Sequence, residues 1–290
     1  MLSGILRYMR VLALLLLAVV LRADERTQKL VERLAQEAAE FEKNAPQLVG
    51  REVFHQRALV TPPRRRIRIG KAVDEVPEPY WQEREIVSQY GFAVLGGAIH
   101  ELRQVTYVDG KQVADERKAQ DELARLITAG EDERRRRSLQ QLEKYGLKGG
   151  ATDFGQLLLL FNRANIERYE ITYLGPRMMA PTRLDAFRYK QIDGPRALSV
   201  YQGSQAQRLN IEGEIWVRES DGSPFRVTLS ATDTSAEQSV RQEASVDYVP
   251  SEFGTVLPSK ISHRELRAGA VAAENTFTYA AFRRFGARLP

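Results

Sequence analysis

Residues 213–230, GEIWVRESDGSPFRVTLS, decide the class of fold. Phe225, Val227 and Leu229 alternate with Arg226, Thr228 and Ser230. A period of two gives a strand one buried and one wetted face. The run before it, 211–218, is joined to it across Asp221-Gly222, a turn pair that favours a hairpin. The same alternation returns downstream, where Val246 and Tyr248 interleave with Ser245 and Asp247. One wet face marks an antiparallel sheet, because parallel strands covered on both sides read as unbroken apolar runs.

Outward from that stretch the second half of the chain reads as continuously β. Candidate strands are 168–174, 186–191, 197–201, 211–218, 224–231, 240–249, 255–266 and 272–285, with Gly269 marking a further hairpin. Towards the N-terminus, 51–60 and 66–69 alternate weakly. REIVSQYGFAVL (84–95) and IHELRQVTYV (99–108) alternate more clearly across Gly96-Gly97, and Asp109-Gly110 leads into 111–113. Helical signals are fewer. Leu30, Leu34, Ala38 and Phe41 place an apolar stripe along 24–44. A helix over 115–129 carries Leu123, Leu126 and Ile127 and ends at Gly130. A second spans about 131–145, with Glu131, Asp132 and Glu133 at its dipole-favoured start. A third begins at Asp153, with Gln156 as its capping-box partner, and carries Leu157 to Phe161. Strands that outnumber clustered helices predict an α+β fold, a long curved antiparallel sheet packing a few helices. Residues 24–290 form one such domain, with a helical insert at about 115–163.

Residues 1–23 read as an export signal, with Arg7 and Arg10 ahead of an eleven-residue apolar run, Val11 to Leu21. That run is short for a membrane span, which needs roughly 20 residues. Cleavage after Ala23 and retention as an uncleaved anchor are both compatible with it. The mature chain is then periplasmic or secreted, touching membrane only through this segment or peripherally. The chain's 290 residues bury a core without staples. Zero cysteine excludes disulfide scaffolds, thiol chemistry and a cysteine-linked lipid. The formal charge of +5 shrinks once the signal is set aside: 40 basic and 38 acidic residues remain, so charge gives no reason to expect nucleic acid.

Sites are harder to read. His55, His100 and His263 fall in strands without a local metal-ligand spacing, and neither a Gly-x-Ser-x-Gly elbow nor a phosphate loop is present. No metal, cofactor or catalytic residue is therefore expected. Arg64 to Arg66 and Arg134, Arg135, Arg136 and Arg137 are basic runs, the second partly balanced by its own helix. They are either solvated surface or contacts for anionic head groups. Trp216, Phe225, Val227, Leu229, Val246, Tyr248, Phe277, Tyr279 and Phe282 either pack an ordinary core or line an apolar cavity of the curved sheet.

The segments 213–230, ASVDYVPSEFGTVLPSKISHRE (244–265) and ENTFTYAAFRRF (274–285) resemble the terminal strands of uncharacterised bacterial secreted proteins. REIVSQYGFAVL, VDGKQVAD (108–115) and TDFGQLLLLFNRANIERYE (152–170) resemble their central part. The strand, Asp-Gly turn and strand ending in Leu-Pro are also similar to outer-membrane lipoprotein carrier and sorting proteins, which have an unclosed half-barrel with helices as a lid over acyl chains. That resemblance implies helices 24–44 and 153–161 over the open side. It implies a non-enzymatic envelope protein that binds an acyl chain or lipid-like ligand. An envelope protein–protein interaction module with a packed core is the alternative, and a hydrolase whose site is invisible in sequence is a third. No contact residue transfers from the resemblance.

Overall fold

The computed structural model describes residues 24–62, 78–129, 144–146, 153–194, 198–202, 205–233 and 239–284. The export segment, strand 66–69, both arginine runs and nearly all of the expected helix 131–145 lie outside the described residues.

The sheet is built from β1 (Leu48–Val60), β2 (Tyr80–Leu95), β3 (Ala98–Val108), β4 (Lys111–Gln112), β5 (Tyr169–Met179) and β6 (Thr182–Gln191). After the separate hairpin β7 (Leu198–Gln202) and β8 (Gln205–Leu209) come β9 (Glu212–Arg218), β10 (Pro224–Asp233), β11 (Val240–Pro250), β12 (Val256–Arg267) and β13 (Ala270–Arg284). Eleven strands join in the order β4-β3-β2-β1-β13-β12-β11-β10-β9-β6-β5. Every pair is antiparallel, and the sheet stays open with β4 and β5 at its edges. Three reversals place both central residues at positive φ: Gly96-Gly97, Asp109-Gly110 and Ala268-Gly269. This is the two-residue turn geometry that suits strand twist. Register shifts interrupt six of the pairings, and such bulges bend strands and curve a sheet. The result is the α+β, half-barrel type of sheet.

Helix α1 (24–44) lies against the inner face. Its stripe is buried as the spacing predicts, with Leu34, Ala38 and Phe41 at 0% exposure. At one end the Arg26 guanidinium meets Asp185 of β6 at 3.0 Å, and at the other Phe41 packs edge-on against Phe92 of β2, 5.1 Å between centroids. About 31 Å of helix therefore runs across the strands. Helix α2 (Glu116–Ala129) begins with the Asp115 carboxylate accepting the Lys118 N–H, an N-cap. It packs on the other side, where Leu123, Leu126 and Ile127 meet Val49, Ala93, Leu95 and Leu102. The sheet thus carries helix on both faces rather than cradling all of it.

The helix expected from Asp153 is a correction. Asp153 sits at φ +69°, and the residues after it make only a short 3-10 turn, Leu157–Phe161. The Asp153 carboxylate does not cap a helix. It accepts the Glu101 N–H at 3.1 Å at the end of β3 that β4 leaves uncovered, which fixes the segment to the sheet instead.

Candidate functional site on the inner face

Because side chains alternate, strand register lines up whole rows across the sheet. One inner-face row starts Tyr173–Phe187–Ile215–Val227–Val246, crossing β5, β6, β9, β10 and β11. It continues Ile261–Phe277–Phe54–Ile86–Val108 through β12, β13, β1, β2 and β3. Ten strands contribute an apolar residue each, an uninterrupted stripe roughly 43 Å long at ~4.8 Å per strand. Phe54 and Phe277 stack at its centre, 4.4 Å apart and 5° from parallel.

Two chain segments cover the stripe, α1 and residues 153–161. Leu157, Leu158 and Phe161 are buried in the same core as α1, and Phe161 packs edge-on to Tyr189 at 5.0 Å. Polar bonds set the position of 153–161. Glu101 Oε1 accepts the Gly155 N–H at 2.7 Å and the Tyr90 hydroxyl at 2.8 Å, while Oε2 accepts the Asp153 N–H at 2.8 Å. Tyr248 accepts the Leu158 N–H and donates to the Gly155 carbonyl, both at 3.2 Å. An added Cβ at Gly155 would stand 2.5 Å from Glu101 Oε1, so the close approach needs glycine.

Behind Glu101 lies a fully buried charge cluster. Arg103 Nε and Nη2 clasp Glu52 at 2.7 and 2.8 Å, and Nη2 also donates to Glu101 at 2.7 Å. Burial pushes the Glu52 carboxyl above its ordinary value although Arg103 opposes this. Burial works against a charged Arg103, but Glu52 and Glu101 outweigh it and hold the guanidinium more firmly protonated. The Tyr90 hydroxyl is raised by burial and by the Glu101 charge.

A second buried polar chain crosses the same face. Gln56 donates to Asn275 at 2.7 Å, and the Asn275 amide donates to His263 Nδ1 at 2.9 Å. His263 Nε2 meets Gln242 Oε1 at 2.7 Å, and the Gln242 amide donates to Glu265 at 3.1 Å. Burial lowers His263 to about 4. The ring is a neutral structural group, its partners amides rather than the neighbouring Glu265. His100 faces Asp153 at 3.3 Å and His55 faces Glu85 at 3.4 Å. Among the described residues no group of three His, Asp or Glu is arranged to hold a metal.

The expected apolar lining divides. Val227, Leu229, Val246, Tyr248, Phe277 and Tyr279 come together on the inner face, 0–8% exposed and in one core with α1 and 157–161. Trp216 does not join them: it sits on the outer face of β9, donates to Glu214 at 2.8 Å and lies under Arg226. Phe225 is half-buried beside Arg218, 5.1 Å from ring to guanidinium, at the irregular start of β10. Arg134 to Arg137 fall outside the described residues. The Glu52–Arg103–Glu101 cluster was missed, although its signal is present. Glu52 shares parity with Phe54, and Glu101 and Arg103 share parity with Ile99, so alternation places all three inside.

No family model matches the sequence, and no curated protein matches it. Solved structures do resemble it. A LolA superfamily protein from Nitrosomonas europaea shares 11% identity over 90% of this chain and 94% of its own, at TM-score 0.35. A DUF1329 family protein from Desulfovibrio piger shares 7% over 89% and 95%, at 0.36. A putative outer membrane lipoprotein-sorting protein domain from Vibrio parahaemolyticus shares 8% over 89% and 93%, at 0.32. The first and third carry the names of the group that the strand and turn sequences resemble. At these identities the likeness concerns the course of the backbone alone.

Proposed function

We propose that this chain is an exported, periplasmic or secreted envelope protein, not an enzyme, that takes an acyl chain or lipid-like ligand onto the inner face of its half-barrel. The observation that carries the reading is the ten-strand apolar stripe, covered by two separate segments rather than by a second sheet. One of the two, 153–161, is positioned by a small set of polar bonds to Glu101, Tyr90 and Tyr248. A ligand enters by taking the place of one cover, since the apolar contacts a leucine-rich turn gives up are contacts an acyl chain replaces. Val227, Leu229, Val246, Tyr248, Phe277 and Tyr279 are the residues it meets. Mass spectrometry of gently purified protein for co-bound lipid, with a fluorescent fatty-acid titration, tests this. Saturable binding that tightens in Tyr248→Phe, which weakens the hold on 153–161, is the expected result. No co-bound lipid, and no saturable binding in either protein, refutes it.

One observation favours a second reading, an envelope interaction module with a closed core. The expected lining residues are packed, and two hollows of about 420 and 430 Å³ lie on the outer face instead. A stoichiometric protein partner recovered from envelope extracts, without lipid, decides for it. No helix of the described residues is long and apolar enough to cross a membrane.

A further inference from the structure

The two outer hollows are the ends of one row. Register places Thr228 opposite Ser245, Ser245 opposite Ser262 and Ser262 opposite Thr276, and the line then runs through His55 to Glu85. Six strands contribute, about 24 Å at ~4.8 Å each. Four consecutive positions are hydroxyls, and all four are half-buried, as the floor of a trough between longer side chains must be. Thr228 Oγ1 accepts the Glu214 N–H at 2.8 Å. Among the described residues no side-chain bond engages Ser245, Ser262 or Thr276.

Both banks are charged but self-neutralising. On one, Arg264 pairs with Glu243 at 2.7 Å, and Arg57 reaches Glu274 at 3.5 Å and Glu83 at 3.9 Å. On the other, Arg226 clasps Asp247 with both carboxylate oxygens, and Lys260 follows in register. Three acids and two arginines on the first bank are matched by two bases and one acid on the second. No net field remains to select an anion or a cation.

The chain's two tryptophans stand on this same face, near opposite ends. Trp216 neighbours Arg226 across β9–β10, and Trp81 lies beyond Glu83 on β2. Each has an arginine over its ring, Arg226 at 5.2 Å and Arg57 at 4.4 Å, which holds the indole in place.

We propose that this trough binds an unbranched, uncharged oligosaccharide laid across the strands. Hydroxyl floor, neutral charge balance and terminal indoles are the complement of a neutral polyhydroxylated chain, which needs many modest hydrogen bonds and flat apolar platforms. Strand spacing of ~4.8 Å is close to the length of one sugar unit in an extended chain, so successive units meet successive hydroxyls. The trough lies on the opposite face from the acyl-chain stripe, so sugar binding stands or falls independently of lipid binding.

Cellohexaose, chitohexaose and maltohexaose, titrated against the full chain by calorimetry and by tryptophan fluorescence, are the test. Both indoles report on this face and none on the core. At least one sugar is expected to bind saturably, with affinity unchanged between low and high salt because no charge is exchanged. Ser262→Val with Thr276→Val is expected to weaken binding about tenfold, roughly 1.4 kcal/mol, with an unaltered urea midpoint. Trp81→Leu, a surface change, gives a second variant should the first unfold. Three results overturn the proposal: no hexasaccharide binding at millimolar concentration, binding indifferent to both variants, or salt-sensitive binding to anionic phospholipid vesicles in place of sugar. Concentration-dependent dimerisation abolished by the same variants would assign the face to a second copy and overturn it equally.

Discussion

Lowering the pH tests the buried polar chain at His263, whose ring is 1% exposed beneath Phe154, 5.0 Å between centroids. Its Nδ1 accepts from the Asn275 amide and its Nε2–H donates to Gln242. A second ring proton would point at a donor. Reversing Asn275 would only turn its amino group onto the Gln56 amide, which already donates to the Asn275 oxygen. The chain therefore has one polarity and resists protonation, in the same direction as burial. The nearest acid, Glu265, acts through Gln242 and is itself paired with Arg267 at 2.8 Å. Burial brings the ring from 6.5 down to about 4 in the folded state. The unfolded chain thus binds the extra proton first, and stability is lost as pH falls from 6.5 towards 4, then levels. At 1.36 kcal/mol per unit the whole loss is about 3 kcal/mol, of which about 2 kcal/mol has appeared by pH 5. Glu52, raised by burial, contributes in the opposite direction, so wild type alone is not diagnostic. Urea unfolding of wild type and His263→Gln at pH 7, 6 and 5 isolates the ring. Their stability difference is expected to shift by about 2 kcal/mol over that range in favour of the variant. Equal pH slopes in the two proteins would refute the assignment.

Three further perturbations concern the inner face, each read by urea denaturation. Glu101→Ala leaves Arg103 with one partner and removes the acceptor of the Gly155 and Asp153 N–H groups, costing about 3–5 kcal/mol; a loss below about 1 kcal/mol contradicts the clamp. Gly155→Ala forces a methyl against the Glu101 and Tyr90 oxygens, at 2.5 and 2.8 Å, and is expected to cost about 1–3 kcal/mol. Leu34→Ala opens a void under α1, fully buried there, and costs about 2–5 kcal/mol if the helix packs as described.

Alternation made most of the sheet legible. Val227, Leu229, Val246 and Tyr248 stand on the face their parity assigned, and Leu30, Leu34, Ala38 and Phe41 bury the stripe their spacing assigned. Strand β8, QAQRL, was missed because it has no apolar alternation to see, and β5 and β6 were cut short because Ala180-Pro181 and its flanking methionines look like a break. Trp216 was grouped by chemistry against its own parity. Ile215 and Val217 are the inward pair, so residue 216 faces out with Glu214. The helix expected at 153 failed for a different reason. Its capping residue found a better partner in the Glu101 backbone, some 50 positions away in sequence, which no local pattern records.

The buried charges have a cause that stability alone does not supply. An ion pair in a core gains little over apolar residues of the same shape, because removing both charges from water offsets their attraction. The incoming segment, however, brings two N–H groups, those of Asp153 and Gly155, to one spot under the sheet edge. Left without an acceptor, each would cost about 1–3 kcal/mol. A single carboxylate with two oxygens takes both, and Glu101 is placed to do so while also accepting Tyr90. An isolated buried carboxylate would be protonated and lose one of those acceptor sites, so Arg103 must stand beside it. Arg103, buried in turn, has donors to spare, and Glu52 takes them with a two-pronged bond from β1, across the intervening β2. Each charge is required by the one before it. What the triad specifies is the seat of one short segment, the cover that the proposed ligand has to displace.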